Sequence, residues 1–117
     1  MEQSNKKDAD YDAEVRLLID SAKYYYPKKE FQKTYYFYNN ASTFLGGMSN
    51  VDNFEAATFF SKIAVLNSDQ KYKSIALDFL DLLLLRASLT KKQLKEQPSF
   101  SILHDEPRWL EMNKRLN

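Results

Sequence analysis

The 117-residue chain has no cysteine, two glycines, three prolines and one histidine. Without thiols it can form no disulfide, thiolate metal site or cysteine nucleophile, and it suits a reducing compartment, with the cytoplasm as the expected location. So few glycines and prolines leave few breaks for the many turns of an all-β fold, and helices are expected instead. A lone histidine with no cysteine cannot assemble a common transition-metal site. Charge of one sign is lacking too. Seventeen basic residues against 16 acidic ones leave a net charge of +1, no field to gather nucleic acid or an anionic membrane. The longest apolar region, from Ile75 to Leu89, is interrupted by Asp78, Asp81 and Arg86 and is too short to span a bilayer. The first ten residues are polar and hold no apolar core of a secretory signal, so a soluble, unexported protein is expected. No glycine-rich phosphate loop, nucleophile elbow or metal-ligand pair is present, and neither catalysis nor a cofactor is expected.

What is there is apolar and aromatic: 44% hydrophobic and 15% aromatic residues, enough for one domain with a core of its own. The expected domain spans 10–117 behind a flexible tail over 1–9. Helix one should start near Asp8 or Asp10, which can cap it, and run to about Tyr26. Pro27 marks the corner, and helix two follows from Phe31 to Leu45. Phe31, Thr34, Tyr35, Tyr38, Ala41, Ser42 and Leu45 recur at helical spacing and form one packing stripe, to which Leu18, Ala22 and Tyr25 offer the matching side. Gly46-Gly47 supplies the left-handed backbone that closes a helix. The first hairpin is thus expected over 10–47.

A third helix is expected from Ser49 or Asn50, with Asp52 in a capping position, through Phe54, Ala57, Phe60, Ile63 and Leu66. Asn67-Ser68-Asp69 breaks it. Helix four, from Gln70 to about Leu89, is apolar nearly all round and needs neighbours on most sides, which makes a second hairpin over 49–89. Thr90 and Gln93 form a capping box for a short helix before Pro98, and Pro107 suits the first turn of a last one. The apolar residues of 90–117, Phe100, Leu103, Trp109, Leu110 and Leu116, are too few to fold alone, so this segment should cap the end of helices three and four.

Leu18, Ala22 and Tyr25, followed by Phe31, Thr34, Tyr38 and Ala41, resemble the large-small-large and aromatic-small-aromatic-small positions of the tetratricopeptide repeat. That family stacks helix pairs of about 34 residues into a superhelix with a concave binding face. The stretch from Pro98 to Met112, with Phe100, Leu103 and Pro107-Arg108-Trp109, is similar to the closing segment that follows the last repeat in bacterial proteins. The likeness covers 15–47 in register, 51–89 loosely because Tyr72 follows Ala56 at a longer gap, and 98–112 as a tail. It implies an all-α fold, a right-handed array of five or six helices in antiparallel hairpins.

The resemblance also implies a ligand face on the first helix of each pair. By register this face holds Arg16, Ile19, Lys23 and Tyr26, then Asn53, Ala57, Phe60 and Ser61. The basic side chains would meet carboxylates of a bound peptide and the rings would supply contact area. The family's lysine and asparagine clamp for a terminal carboxylate is not reproduced. The expected role is a non-catalytic protein or peptide interaction module, an adaptor or scaffold. The alternative is a small assembly or inhibitor protein that forms a homodimer or covers a folded partner, because two hairpins fall short of the roughly three units a repeat array needs. Tyr24, Tyr26, Tyr36 and Phe37 are left over from the helix-packing stripes and suit an aromatic protein interface better than nucleic-acid stacking. His104, beside Asp105 and Glu106, reads as a loop residue. Asp78 and Asp81, three apart on one helix face, read as a wet stripe or as partners for a neighbouring cation.

Overall fold

With two glycines available, most helices of this chain end on other residues. In the computed structural model, which describes residues 2–44 and 47–116 with side chains from residue 12 onward, the protein is all-helical, and no strand occurs among the described residues. The elements are α1 (Glu2–Tyr25), α2 (Phe31–Thr43), α3 (Asn50–Asn67), α4 (Gln70–Leu85), α5 (Lys91–Glu96), a 3₁₀ segment (Pro98–Leu103) and α6 (Pro107–Arg115). Lys29, Ser68 and Ala87 take positive φ angles of 61°, 50° and 54°. At Lys29 the turn is a Schellman closure, in which the Glu30 amide donates to the Tyr25 carbonyl at 3.2 Å and the Lys29 amide to that of Tyr26 at 3.0 Å. Ala87 repeats it: the Ser88 amide donates to Leu83 at 2.9 Å and the Ala87 amide to Leu84 at 3.0 Å.

The closure at Ala87 accounts for one boundary that differs from expectation. α4 stops at Leu85, short of Leu89, because the left-handed step at Ala87 turns the chain before Leu89, which is buried as part of the following turn. α1 begins at Glu2, so the segment 1–9 expected as a tail has helical backbone from Glu2 on. No glycine or proline precedes Pro27, and Glu, Gln, Lys and Ala in this stretch favour helix. The expected caps Asp8 and Asp10 fall inside that helix. α2 ends at Thr43, and Leu45 and Gly46, expected at its end, lie outside the described residues. Gly47 takes a φ of 61°.

The chain divides into two compact units, Met1–Met48 and Ser49–Asn117. In the first, the short 26–30 connection folds α2 back along α1. Val15, Ile19 and Ala22 of α1 are buried, as are Thr34, Tyr38 and Ala41 of α2. The small residues on both helices permit close approach. The Thr34 hydroxyl donates to the Glu30 carbonyl at 3.1 Å, so a buried polar group is satisfied within its own helix turn.

The second unit starts at a side-chain cap, where Ser49 Oγ accepts from the Asp52 amide at 3.1 Å. Asp69 caps α4 by accepting from the Lys71 amide at 2.9 Å. Between the two helices Phe60 is fully buried and stacks on Tyr72 and Phe79, with centroids 6.3 and 5.8 Å away. Burying a ring of this size stabilises the fold by about 1.5–3 kcal/mol. Ala56, Ala57, Ala64 and Ala76 are buried with no exposed area and leave room for the rings.

The segment after α4 packs back on this pair. Thr90 and Gln93 make the reciprocal capping box of α5. Phe100 is fully buried and meets Phe54 and Trp109 edge to face at 5.5 and 5.7 Å. Arg108 of α6 donates to Asp78 Oδ1 at 2.8 Å, to Asp81 Oδ2, and to the Ser74 carbonyl at 3.4 Å. One guanidinium thus joins the two aspartates of α4, whose sequence reading left a wet stripe or a neighbour's cation open. The two carboxylates hold the Arg108 proton more firmly, against the burial that would release it, and its pKa is raised above the usual guanidinium value. Next to it, Glu106 accepts from Gln70 Nε2 at 2.6 Å and pairs with Lys73 at 3.9 Å.

Candidate functional site

At roughly 3.6 residues per turn, Leu17 and Tyr24 share a stripe of α1 opposite the buried Val15, Ile19 and Ala22. Both are well exposed, and Tyr24 keeps 59% of its surface open. From Tyr24 a chain of ring contacts crosses to α2. Tyr24 meets Tyr25 edge on at 5.1 Å, Tyr25 stacks on Phe37 at 5.6 Å with an interplanar angle of 2°, and Phe37 meets Tyr36 edge on at 5.2 Å. Tyr36 is 61% exposed, so the ladder begins and ends in open rings while its middle is half-buried.

Two lysines sit on it. Lys28 Nζ lies 4.6 Å from the Tyr24 centroid and Lys33 Nζ 4.9 Å from that of Tyr25, within cation–π range. Lys33 also pairs with Glu30 at 3.2 Å, and the hydrogen bond to this carboxylate raises the ammonium pKa above its ordinary value. The surface is therefore aromatic with a positive edge. Edge-to-face and offset geometry keeps the rings in fixed orientations, so little freedom is lost when another surface lies on them.

The expected ligand residues fall in two groups. On the first unit, Arg16 is exposed and Lys23 half-buried, one helical stripe away from Leu17 and Tyr24. Tyr26 is half-buried beside Phe31 at 6.2 Å, and burial raises its phenol pKa. Ile19 is core. On the second unit the expected face is an interior one. Asn53, Ala57, Phe60 and Ser61 are all fully buried, and the ligand role expected of Asn53, Phe60 and Ser61 is withdrawn. Asn53 Nδ2 donates to the Ser49 carbonyl at 3.0 Å and Ser61 Oγ to that of Ala57 at 2.8 Å, while Phe60 fills the space between α3 and α4. The family register placed them on an inner face, but α4 is apolar enough to cover that face within its own pair.

Of the four rings left over from the packing stripes, Tyr24, Tyr36 and Phe37 join the ladder, and Tyr26 lies beside Phe31. Tyr25, assigned to helix packing, is one of its two inner rungs. Leu17 has no aromatic signal, but its seven-residue spacing from Tyr24 would have found it. His104 is exposed at the end of the 3₁₀ segment, 4.8 Å from the Trp109 ring. The chain matches no family model, no curated protein and no solved structure.

Proposed function

We propose that this chain is a non-catalytic protein-interaction module, built of tetratricopeptide-like helical hairpins, whose recognition surface is the aromatic ladder of the first hairpin. The observation that carries this reading is the pair of open rings, Tyr24 and Tyr36, joined through Tyr25 and Phe37 into one surface edged by Lys28 and Lys33. Rigid rings bury large area at low entropic cost and are enriched where interface energy concentrates, and lysines at the edge favour a partner with carboxylates at its rim. The hairpin reading is supported by two helix pairs, α1 with α2 and α3 with α4, each closed by a short turn, followed by a C-terminal segment packed on the second pair.

The same open rings favour a second reading, in which the partner is another copy of this chain meeting ladder to ladder about a two-fold axis. Both readings are tested by Tyr24→Ser with Tyr36→Ser, compared with wild type and with Lys23→Glu. Capture from a native lysate should be lost in the double variant and retained in Lys23→Glu, with circular dichroism unchanged in both. Concentration-dependent sedimentation that disappears in the double variant identifies self-assembly. Unchanged capture and unchanged sedimentation would exclude the ladder.

A further inference from the structure

A second surface lies on the other unit and is independent of the ladder. α5 turns Lys91 and Lys95, four residues apart, to one side, and α6 turns Leu110, Asn113 and Lys114 toward them, with Leu110 56% exposed. Between them runs a trough. One part, about 470 Å³, is lined by Lys91, Lys95, His104, Trp109, Leu110 and Asn113. The adjoining part, about 560 Å³, shares Lys91, Leu110 and Asn113 and adds Pro107, Glu111 and Lys114. Each is of the size that holds a few residues of a ligand.

The trough is net cationic, with Lys91, Lys95 and Lys114 against the single carboxylate of Glu111. Lys33, Lys73 and Arg108 have carboxylate partners, whereas among the described residues Lys91, Lys95 and Lys114 form no ion pair. Leu110 and Asn113 line both parts of the trough with Lys91, while Trp109 shares one part with Lys95 and Pro107 the other with Lys114. We propose that this trough binds an acidic peptide segment carrying one large apolar side chain, which seats over Leu110 while side-chain carboxylates meet Lys91, Lys95 and Lys114. A peptide is favoured over nucleic acid by three features. Trp109 is only 5% exposed, with Phe100 and His104 against it, so it offers no open face on which a base could stack. Glu111 lines the far part and repels a continuous polyanion running along α6. The chain's net charge of +1 adds no long-range attraction for phosphates.

Trp109 is the chain's one tryptophan, so its fluorescence reports on this trough. The probe is a hexapeptide with both ends capped, in which glutamates flank a single phenylalanine. Titrated into the full chain, it should change Trp109 emission saturably. Lys91→Glu with Lys95→Glu should weaken it by roughly tenfold or more, as should salt raised to about 0.5 M. Leu110→Gln should weaken the same peptide but leave binding of an all-glutamate control unchanged. All of these are surface changes, and Tyr24→Ser with Tyr36→Ser should leave the affinity unaltered, which separates this site from the ladder. The proposal is overturned if a glutamine-for-glutamate peptide binds equally well, or if the acidic peptide does not bind. It is overturned equally if a thymidine oligonucleotide binds more tightly through the same lysines, or if the protein alone forms a dimer that Lys91→Glu with Lys95→Glu dissociates.

Discussion

Ala87 holds a left-handed conformation with a φ of 54° at an exposed position, where its methyl group gains nothing from burial. For an L-residue other than glycine this backbone costs roughly 1–2 kcal/mol, partly offset because alanine loses less freedom than glycine on folding. Ala87→Gly is therefore expected to stabilise the second unit by about 0.5–1 kcal/mol, read as a raised denaturant midpoint with unchanged slope. The scarcity of glycine told where turns would be few, but not that Lys29, Ser68 and Ala87 would make them, since any residue can be forced into this region when the surrounding helices dictate it. Phe60 shows the same limit from the other side. Its spacing on α3 identified an apolar face, and only its full burial and its stacking on Tyr72 and Phe79 showed that the face is closed.

At the level of elements, α6 is held by its first turn. Asp78 and Asp81 are like charges three residues apart on α4, a mildly unfavourable pair on a bare helix, and Arg108 converts it into a bridge. All three groups are partly exposed, so the bridge contributes modestly. Arg108→Gln should cost about 1 kcal/mol and loosen α6, seen as a red shift and stronger quenching of Trp109 emission in native conditions. Asp78→Asn with Asp81→Asn should have a similar effect, and combining all three should cost little more than either change alone. The capping signals at Ser49 with Asp52 and at Thr90 with Gln93 were legible in advance, because they depend on neighbours within three residues and local hydrogen bonds follow local sequence; Asp69 was read only as part of a break, and the structure makes it the cap of α4. The partner of Asp78 and Asp81 was not, because Arg108 is 27 residues beyond Asp81.

For the molecule as a whole, no described helix is long and apolar enough to cross a membrane. Its stability should weaken on the alkaline side. Burial raises the phenol pKa of Tyr26 and Tyr72 above 10.0, for Tyr72 with a further push from Asp69. The folded state then keeps these protons at a pH where the unfolded chain releases them. This contribution is complete below the ordinary tyrosine value and is lost as pH rises through the raised folded values. Lys33, raised by Glu30, has the same sign. Melting temperature should be level from about pH 7 to 9 and fall above about 10, with a smaller fall in Tyr72→Phe. Sequence by itself determined the helical class, the turns at Pro27 and Ser68, the caps at Ser49 and Thr90, and the surplus of aromatic residues around Tyr24 and Tyr36, because periodicity and capping act over a few residues. Tertiary structure decided which rings stay open, that Asn53, Phe60 and Ser61 are interior, and that Lys91, Lys95 and Leu110 share one trough. Burial and charge pairing depend on residues far apart in the chain, and only the folded backbone brings them together.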